Sequence, residues 1–312
     1  MGKFINPFTD FGFKKLFGQQ FSKPILIDFL NDLLEGERRI VDIVYTDKEV
    51  LPRMKSERGI IYDIYCETDT GEHIIVEMQN KMQECFVDRA LFYLAGDIHT
   101  QGQRGDNWDY KLIPVYGIYF MNWKFNRGER PERLRMDVGL TDLATGELFS
   151  DKMRMIFIQV PLMTKSEDEC ETNFERWIYV LKNMDTLSRM PFAAQKAIFD
   201  ELGSLAEIEA MPEPDRSQYE ESLRVYRDNL AVMRCERNAG RAEGLAEGLE
   251  QGLEQGLEQG RAEGRAEGRE EGEKKGLEKG KLEVAKNLKR FGLDISTICA
   301  STGLIPEEVA KL

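Results

Sequence analysis

Gly59-Ile-Ile-Tyr-Asp-Ile-Tyr-Cys-Glu-Thr-Asp-Thr-Gly-Glu-His-Ile-Ile-Val-Glu-Met-Gln79 is the stretch whose reading decides the fold. Two apolar runs flank Thr68-Asp69-Thr70-Gly71, whose Asp and Gly are turn formers, so the segment predicts a β-hairpin. With the turn centred near Thr70, antiparallel register sets Asp63 opposite Glu77. Directly opposed side chains have Cβ atoms roughly 4.5–5.5 Å apart, and like charges there are destabilising. Two carboxylates in that position need something between them, and a divalent cation is the obvious candidate. Gln79 lies two residues beyond Glu77 and points to the same face.

Composition bounds the rest. The chain has 312 residues, 41% hydrophobic and 10% aromatic, enough for a substantial core in one large or two smaller domains. The 32% of charged residues imply a long solvated portion. A net charge of −13 argues against a nucleic-acid coat but leaves room for a local basic groove. Five scattered cysteines (66, 85, 170, 235 and 299), never in a Cys-x-x-Cys pair, predict reduced thiols in a cytoplasmic protein. The start has no apolar leader and no run approaches a membrane span, so no membrane association is expected. With only His73 and His99, histidine chemistry is thin and carboxylates must carry any catalysis. His73 lies on the Glu77 face of its strand, where it either lines the site or meets partial solvent.

Outward from the hairpin, Thr9 or Asp10 caps a short helix through Phe17, which Gly18 ends. Pro24 opens a helix over Ile25–Leu34, and Ile40–Tyr45 reads as a strand followed by a polar stretch through Arg58. Beyond the hairpin, Gln83–Gln103 has a helical period and the apolar run Leu112–Met121 suits a buried strand. Further strand-like segments lie in Arg133–Leu162, around Asp142-Leu-Ala-Thr-Gly146. From Cys170 to about Arg237 the pattern is helical, broken at Pro191 and at Met211-Pro-Glu-Pro214.

Glycine then recurs at every fourth position from Gly240 to Gly280, eleven times, among strong helix formers. Each glycine costs a helix about 0.8–1.0 kcal/mol, on the order of 10 kcal/mol together, so an isolated helix is expected to be marginal. Two things would offset this: packing of the row Leu245, Leu249, Leu253 and Leu257, or close approach of a second helix along the glycines. A period of four advances about 40° per repeat, a right-handed stripe that disfavours a left-handed heptad coiled coil. A solvated spacer and a dimerising helix both fit. Lys281–Phe291 predicts a basic amphipathic helix, followed by short pieces at Ile295–Ala300 and Pro306–Leu312 around Thr302-Gly303. That pair is either a packing cap or half of a helix-turn-helix.

Taken from the residues, Asp63 and Glu77 make a hard-oxygen pair suited to Mg²⁺ or Mn²⁺, with room for water and a phosphate oxygen. By spacing alone, an ordinary solvated hairpin face fits as well. The order helix-β-β-β-helix-β, with Asp at the second strand and Glu-x-Gln ending the third, resembles the PD-(D/E)XK nuclease core. More specifically, Asn6-Pro-Phe-Thr-Asp-Phe-Gly-Phe-Lys-Lys-Leu-Phe-Gly18, Leu26-Ile-Asp-Phe-Leu-Asn-Asp-Leu-Leu34, Ile74-Ile-Val-Glu-Met-Gln79, Arg89-Ala-Leu-Phe-Tyr93 and Leu112-Ile-Pro-Val-Tyr116 resemble the recombination-promoting nuclease (Rpn), or transposase, family. The glycine-repeat tail and its Thr-Gly-Leu-Ile-Pro-Glu-Glu ending are similar too.

The resemblance implies a restriction-endonuclease-like α/β core, a mixed sheet flanked by helices, over residues 1–165. A helical region (166–238), the Gly-x-x-x tail (239–283) and a short helical cap (284–312) follow. It implies a Mg²⁺- or Mn²⁺-dependent DNA endonuclease acting in recombination or mobile-element transfer. Asp63, Glu77 and the Met78 carbonyl would hold the metal, and Gln79 would orient water. Asp10, Lys14, Arg89 and Tyr93 would be accessory or phosphate contacts, although capping explains Asp10 as well. A homodimer through the tail would pair two sites on DNA. Gln79 departs from the wider pattern, where lysine is expected. The rival reading is a catalytically weak or inactive nuclease-fold protein acting through its tail; a third is a DNA-binding regulator using the terminal helix pair.

Overall fold

The computed structural model describes residues 2–46, 49–50, 60–102, 109–125 and 131–312. Helix α1 (Asp10–Phe17) begins because the Thr9 hydroxyl accepts from the Gly12 N–H at 3.0 Å, and it ends where the Gly18 N–H reaches the Lys14 carbonyl. Thr9 is thus the cap, and Asp10 sits in the first turn. Helix α2 (Lys23–Leu33) carries Pro24 in its first turn. Strands β1 (Ile43–Tyr45), β2 (Glu49–Val50), β3 (Ile60–Ile61), β4 (Ile64–Thr68) and β5 (His73–Gln79) follow, then α3 (Phe86–Thr100). After them come β6 (Val115–Met121), β7 (Arg135–Thr141), β8 (Leu148–Gln159), α4 (Asn173–Asn183), α5 (Ile198–Ala206), α6 (Glu213–Arg290), α7 (Ile295–Thr302) and α8 (Pro306–Lys311). Most of the polar stretch expected before Arg58, and Gln103 at the expected end of α3, lie outside the described residues.

Six strands form one mixed sheet in the order β1-β4-β5-β6-β8-β7. The β5–β6 and β6–β8 pairs are parallel and the other three antiparallel. The hairpin register is the expected one, with Ile64 opposite Val76 and Glu67 opposite His73. Gly71 closes the turn at φ +92°, a conformation costly for residues with a side chain. The first arm, however, is not one strand. Ile60 and Ile61 pair with β2, the chain breaks at Tyr62-Asp63, and β4 resumes at Ile64.

Alternate residues of the central strands face opposite cores, as the period of two requires. Ile74, Val76, Tyr116, Ile118, Phe120, Ile156 and Ile158 meet α1, α2, α4, α5 and the first turns of α6. Ile75, Val115, Tyr119, Met121 and Phe157 meet α3. All seven residues of β6 are buried, as a central parallel strand covered on both faces should be. Helix α3 comes close over Gly117, where an added Cβ would lie 2.6 Å from Leu94 Cδ1.

The chain divides into two compact units, Met1–Met233 and Arg234–Leu312. The first holds the sheet together with α4, α5 and the start of α6, all sharing one core. In the second, α6 runs without interruption through all eleven repeat glycines and takes in the separate helix expected over Lys281–Phe291. Leu245, Leu249, Leu253 and Leu257 are between 54% and 75% exposed. Apart from the neighbouring backbone of α6 itself, no described atom lies within 4 Å of a Cβ built on any repeat glycine from Gly240 to Gly280. The packed part of this unit is its end, where α7 and α8 close on Ala285 around Ile298 and Val309.

Trp177 joins the helical layer to α2. It is fully buried, 4.9 Å from Phe199 and 5.8 Å from Phe29 between ring centres, and its Nε1–H donates to Asp28 and Asp32. Trp177→Ala should therefore lower the unfolding free energy by about 3–5 kcal/mol in urea titrations, with Trp177→Phe in between; a change within the error of the titration would contradict this packing.

Candidate functional site

The break in the first hairpin arm has a local cause. The Asp63 N–H donates to Glu77 Oε1 at 3.2 Å, while the Met78 N–H donates to Asp63 Oδ2 at 3.0 Å. Side chains thus take hydrogen bonds that a regular ladder would give to main-chain carbonyls. The exchange interlocks the two acids across the hairpin. Asp63 is half-buried and Glu77 only 5% exposed.

Gln79 completes the group. Its Nε2 donates to Glu77 Oε2 at 3.3 Å, and its Oε1 accepts from Arg89 Nη2 on α3. Arg89 is held from a second side, since Nη1 donates to Gln83 Oε1 at 2.8 Å. Burial and the nearby Asp63 charge push the Glu77 carboxyl up to about 8, against the opposing pull of Arg89. Among the described residues, no three His, Cys, Asp or Glu side chains gather as a self-sufficient metal cluster. The acidic oxygens gathered here are those of two carboxylates, Asp63 and Glu77. Hard oxygens, one of them desolvated beside a like charge, suit a small divalent cation.

The other residues picked out from the sequence fall in different places. Lys14 pairs with Asp10 at 2.7 Å, one turn apart, and both line a cavity between α1 and the start of α6 together with Phe11, Lys15 and Asp215. Tyr93, one turn beyond Arg89, stacks edge-on against Tyr62, whose hydroxyl donates to the Tyr93 carbonyl at 3.2 Å. His73 shares the Glu77 face but neither lines the site nor meets solvent freely. Its Nδ1 lies 2.8 Å from Asp97 Oδ2, and the Tyr65 hydroxyl donates to Asp97 Oδ1 at 2.6 Å. The Asp97 carboxylate raises the His73 pKa.

Two residues at the site's edge have only a faint mark in the sequence. Asn80 donates to the Phe8 carbonyl at 2.7 Å, and Asn122 donates to the Tyr226 hydroxyl at 3.1 Å. The Asn122 N–H also holds the Gln79 carbonyl at 2.9 Å. Each asparagine follows directly on a buried parallel strand, and the carboxyl ends of such strands are where α/β sheets place their ligands.

A mixed sheet between helical layers, with interlocked acids on a broken hairpin and an amide two residues on, defines a nuclease-type α/β fold. The chain belongs to the PD-(D/E)XK nuclease family transposases, whose family model matches residues 7–236. PD-(D/E)XK nucleases generally use divalent metals. Comparison with curated proteins and with solved structures gives no match. Among the described residues no helix is long and apolar enough to cross a membrane.

The raised Glu77 pKa carries a sign for stability. In unfolded chains Glu77 gives up its proton near the ordinary 4.5, whereas the folded site keeps it to about 8. Its contribution is therefore complete below pH 4.5 and is lost as pH rises to about 8. Without divalent ions, Glu77→Gln should flatten the stability–pH curve in that window and stabilise the chain at its upper end, by on the order of 5 kcal/mol. Parallel curves for parent and variant would contradict this electrostatic account.

Proposed function

We propose that this protein is a divalent-metal-dependent DNA endonuclease whose cuts serve recombination or mobile-element transfer. The observation that carries the reading is the interlocked Asp63–Glu77 pair with Gln79, in a chain of the PD-(D/E)XK family. Asp63, Glu77 and the Met78 carbonyl would hold Mg²⁺ or Mn²⁺. When bound, such an ion supplies an activated water and offsets the charge that builds up on the phosphate.

The chain's own residues supply the rest. Glu77, buried and bonded by the Asp63 N–H, cannot swing out to solvent. Gln79 keeps one Nε2–H for an oxygen outside the Glu77 bond. Asn80 and Asn122 hold the strand ends against the Phe8 segment and α6. The exposed Leu245–Leu257 row, on a helix whose glycines leave room for close approach, supports self-association as a dimer that brings two sites to one duplex. Free thiols at all five cysteines suit a cytoplasmic setting.

Relaxation of supercoiled plasmid in Mg²⁺ or Mn²⁺ tests the assignment. Asp63→Ala should slow cleavage by about two orders of magnitude or more, the scale on which loss of a charge-stabilising group acts. Chelation should abolish it. Equal nicking by parent and variant would sink the nuclease reading and leave a nuclease-fold interaction protein acting through its tail, a reading the −13 net charge favours.

A further inference from the structure

We propose that Arg89 turns Gln79 into a donor-only group that takes the place of the lysine named in the family motif, an inference that rests on the nuclease reading above. A glutamine amide has one accepting and one donating end, and nothing in glutamine itself decides which end faces the acids. Arg89 decides it. A guanidinium only donates, so its Nη2 must take Gln79 Oε1, and Nε2 is left to face Glu77. One N–H of that group goes to Glu77 Oε2 at 3.3 Å, and the second is left for a water or phosphate oxygen.

The arrangement also lends charge. A hydrogen bond from a cation polarises the amide and strengthens its donors. Arg89 is steadied for this task by Gln83 Oε1 at 2.8 Å and by the Phe86 ring, 5.8 Å from the guanidinium carbon. It acts through Gln79, so it is a positioning residue rather than a catalytic one. A lysine at position 79 would need no such helper, and beside Arg89 it would bring two cations together.

Plasmid cleavage in Mn²⁺ and calorimetric Mn²⁺ affinity, both on the full chain, test the proposal. Arg89→Ala should slow cleavage by about tenfold or more, while Mn²⁺ binds roughly two- to tenfold more tightly because a nearby cation is gone. Arg89→Ala combined with Gln79→Lys should recover cleavage above either single variant and return the affinity towards the parent value. Arg89→Lys, which keeps one donor and the charge, should fall between parent and Arg89→Ala. Parent-like cleavage by Arg89→Ala, or a double variant no faster than the singles, overturns the proposal. If the parent chain leaves DNA intact, the nuclease reading fails by itself. Affinity then decides on Arg89: tighter Mn²⁺ binding in Arg89→Ala supports the assignment, and equal or weaker binding overturns it.

Discussion

Everything at the site depends on two carboxylates being held across one hairpin by main-chain hydrogen bonds. The Asp63 N–H serves Glu77 and the Met78 N–H serves Asp63, so neither acid can move without giving up a hydrogen bond to the other arm of the hairpin. Like charges so placed repel, and the fold answers by keeping the buried one protonated to about pH 8. The strain of the pair is thus stored as an electrostatic preference for a proton or a cation. The break at Tyr62-Asp63 is part of the same construction, since a regular strand would leave no main-chain donor for Glu77.

The surrounding layers keep that construction rigid. The strand carrying Glu77 is flanked in the sheet by β4 and by the fully buried β6, with a helical layer on one face and α3 on the other. Close passage of α3 over Gly117 brings the helix near enough for Arg89 to reach Gln79. On the opposite face the first turns of α6 meet the strand ends through Tyr226 and Asn122, and they hold the segment before α1 through Tyr219, whose hydroxyl accepts from the Asn6 N–H at 2.9 Å. Helices α4 and α5 and the start of α6 thereby share the core of the sheet.

Local rules were legible where local physics governs. Thr9, Gly18 and Pro24 mark helix ends through hydrogen bonds or ring geometry within a few residues. Gly71 and the alternation around it set the hairpin register, which carries Asp63 to within hydrogen-bond reach of Glu77. Strand alternation could not reveal that the first arm breaks before Ile64, because the groups that compensate the break, the Glu77 carboxyl and the Met78 N–H, belong to the partner strand. His73 sits on the Glu77 face by periodicity, yet Asp97, 24 residues away, captures it. The repeat glycines weigh against an isolated helix, but α6 continues through them between helix formers on every side.

By itself, then, the amino-acid order determined the kinds of elements, the hairpin register and the acid pair, because turns, caps and side-chain alternation act over short spans. Tertiary structure alone decided how buried Glu77 is, which way the Gln79 amide points, and which helix supplies the nearby positive charge. Arg89 lies only ten residues beyond Gln79 in the chain, but their contact exists because α3 folds back over β6. Burial, and the pKa it shifts, is a property of everything packed around a group, and no short stretch of sequence contains it.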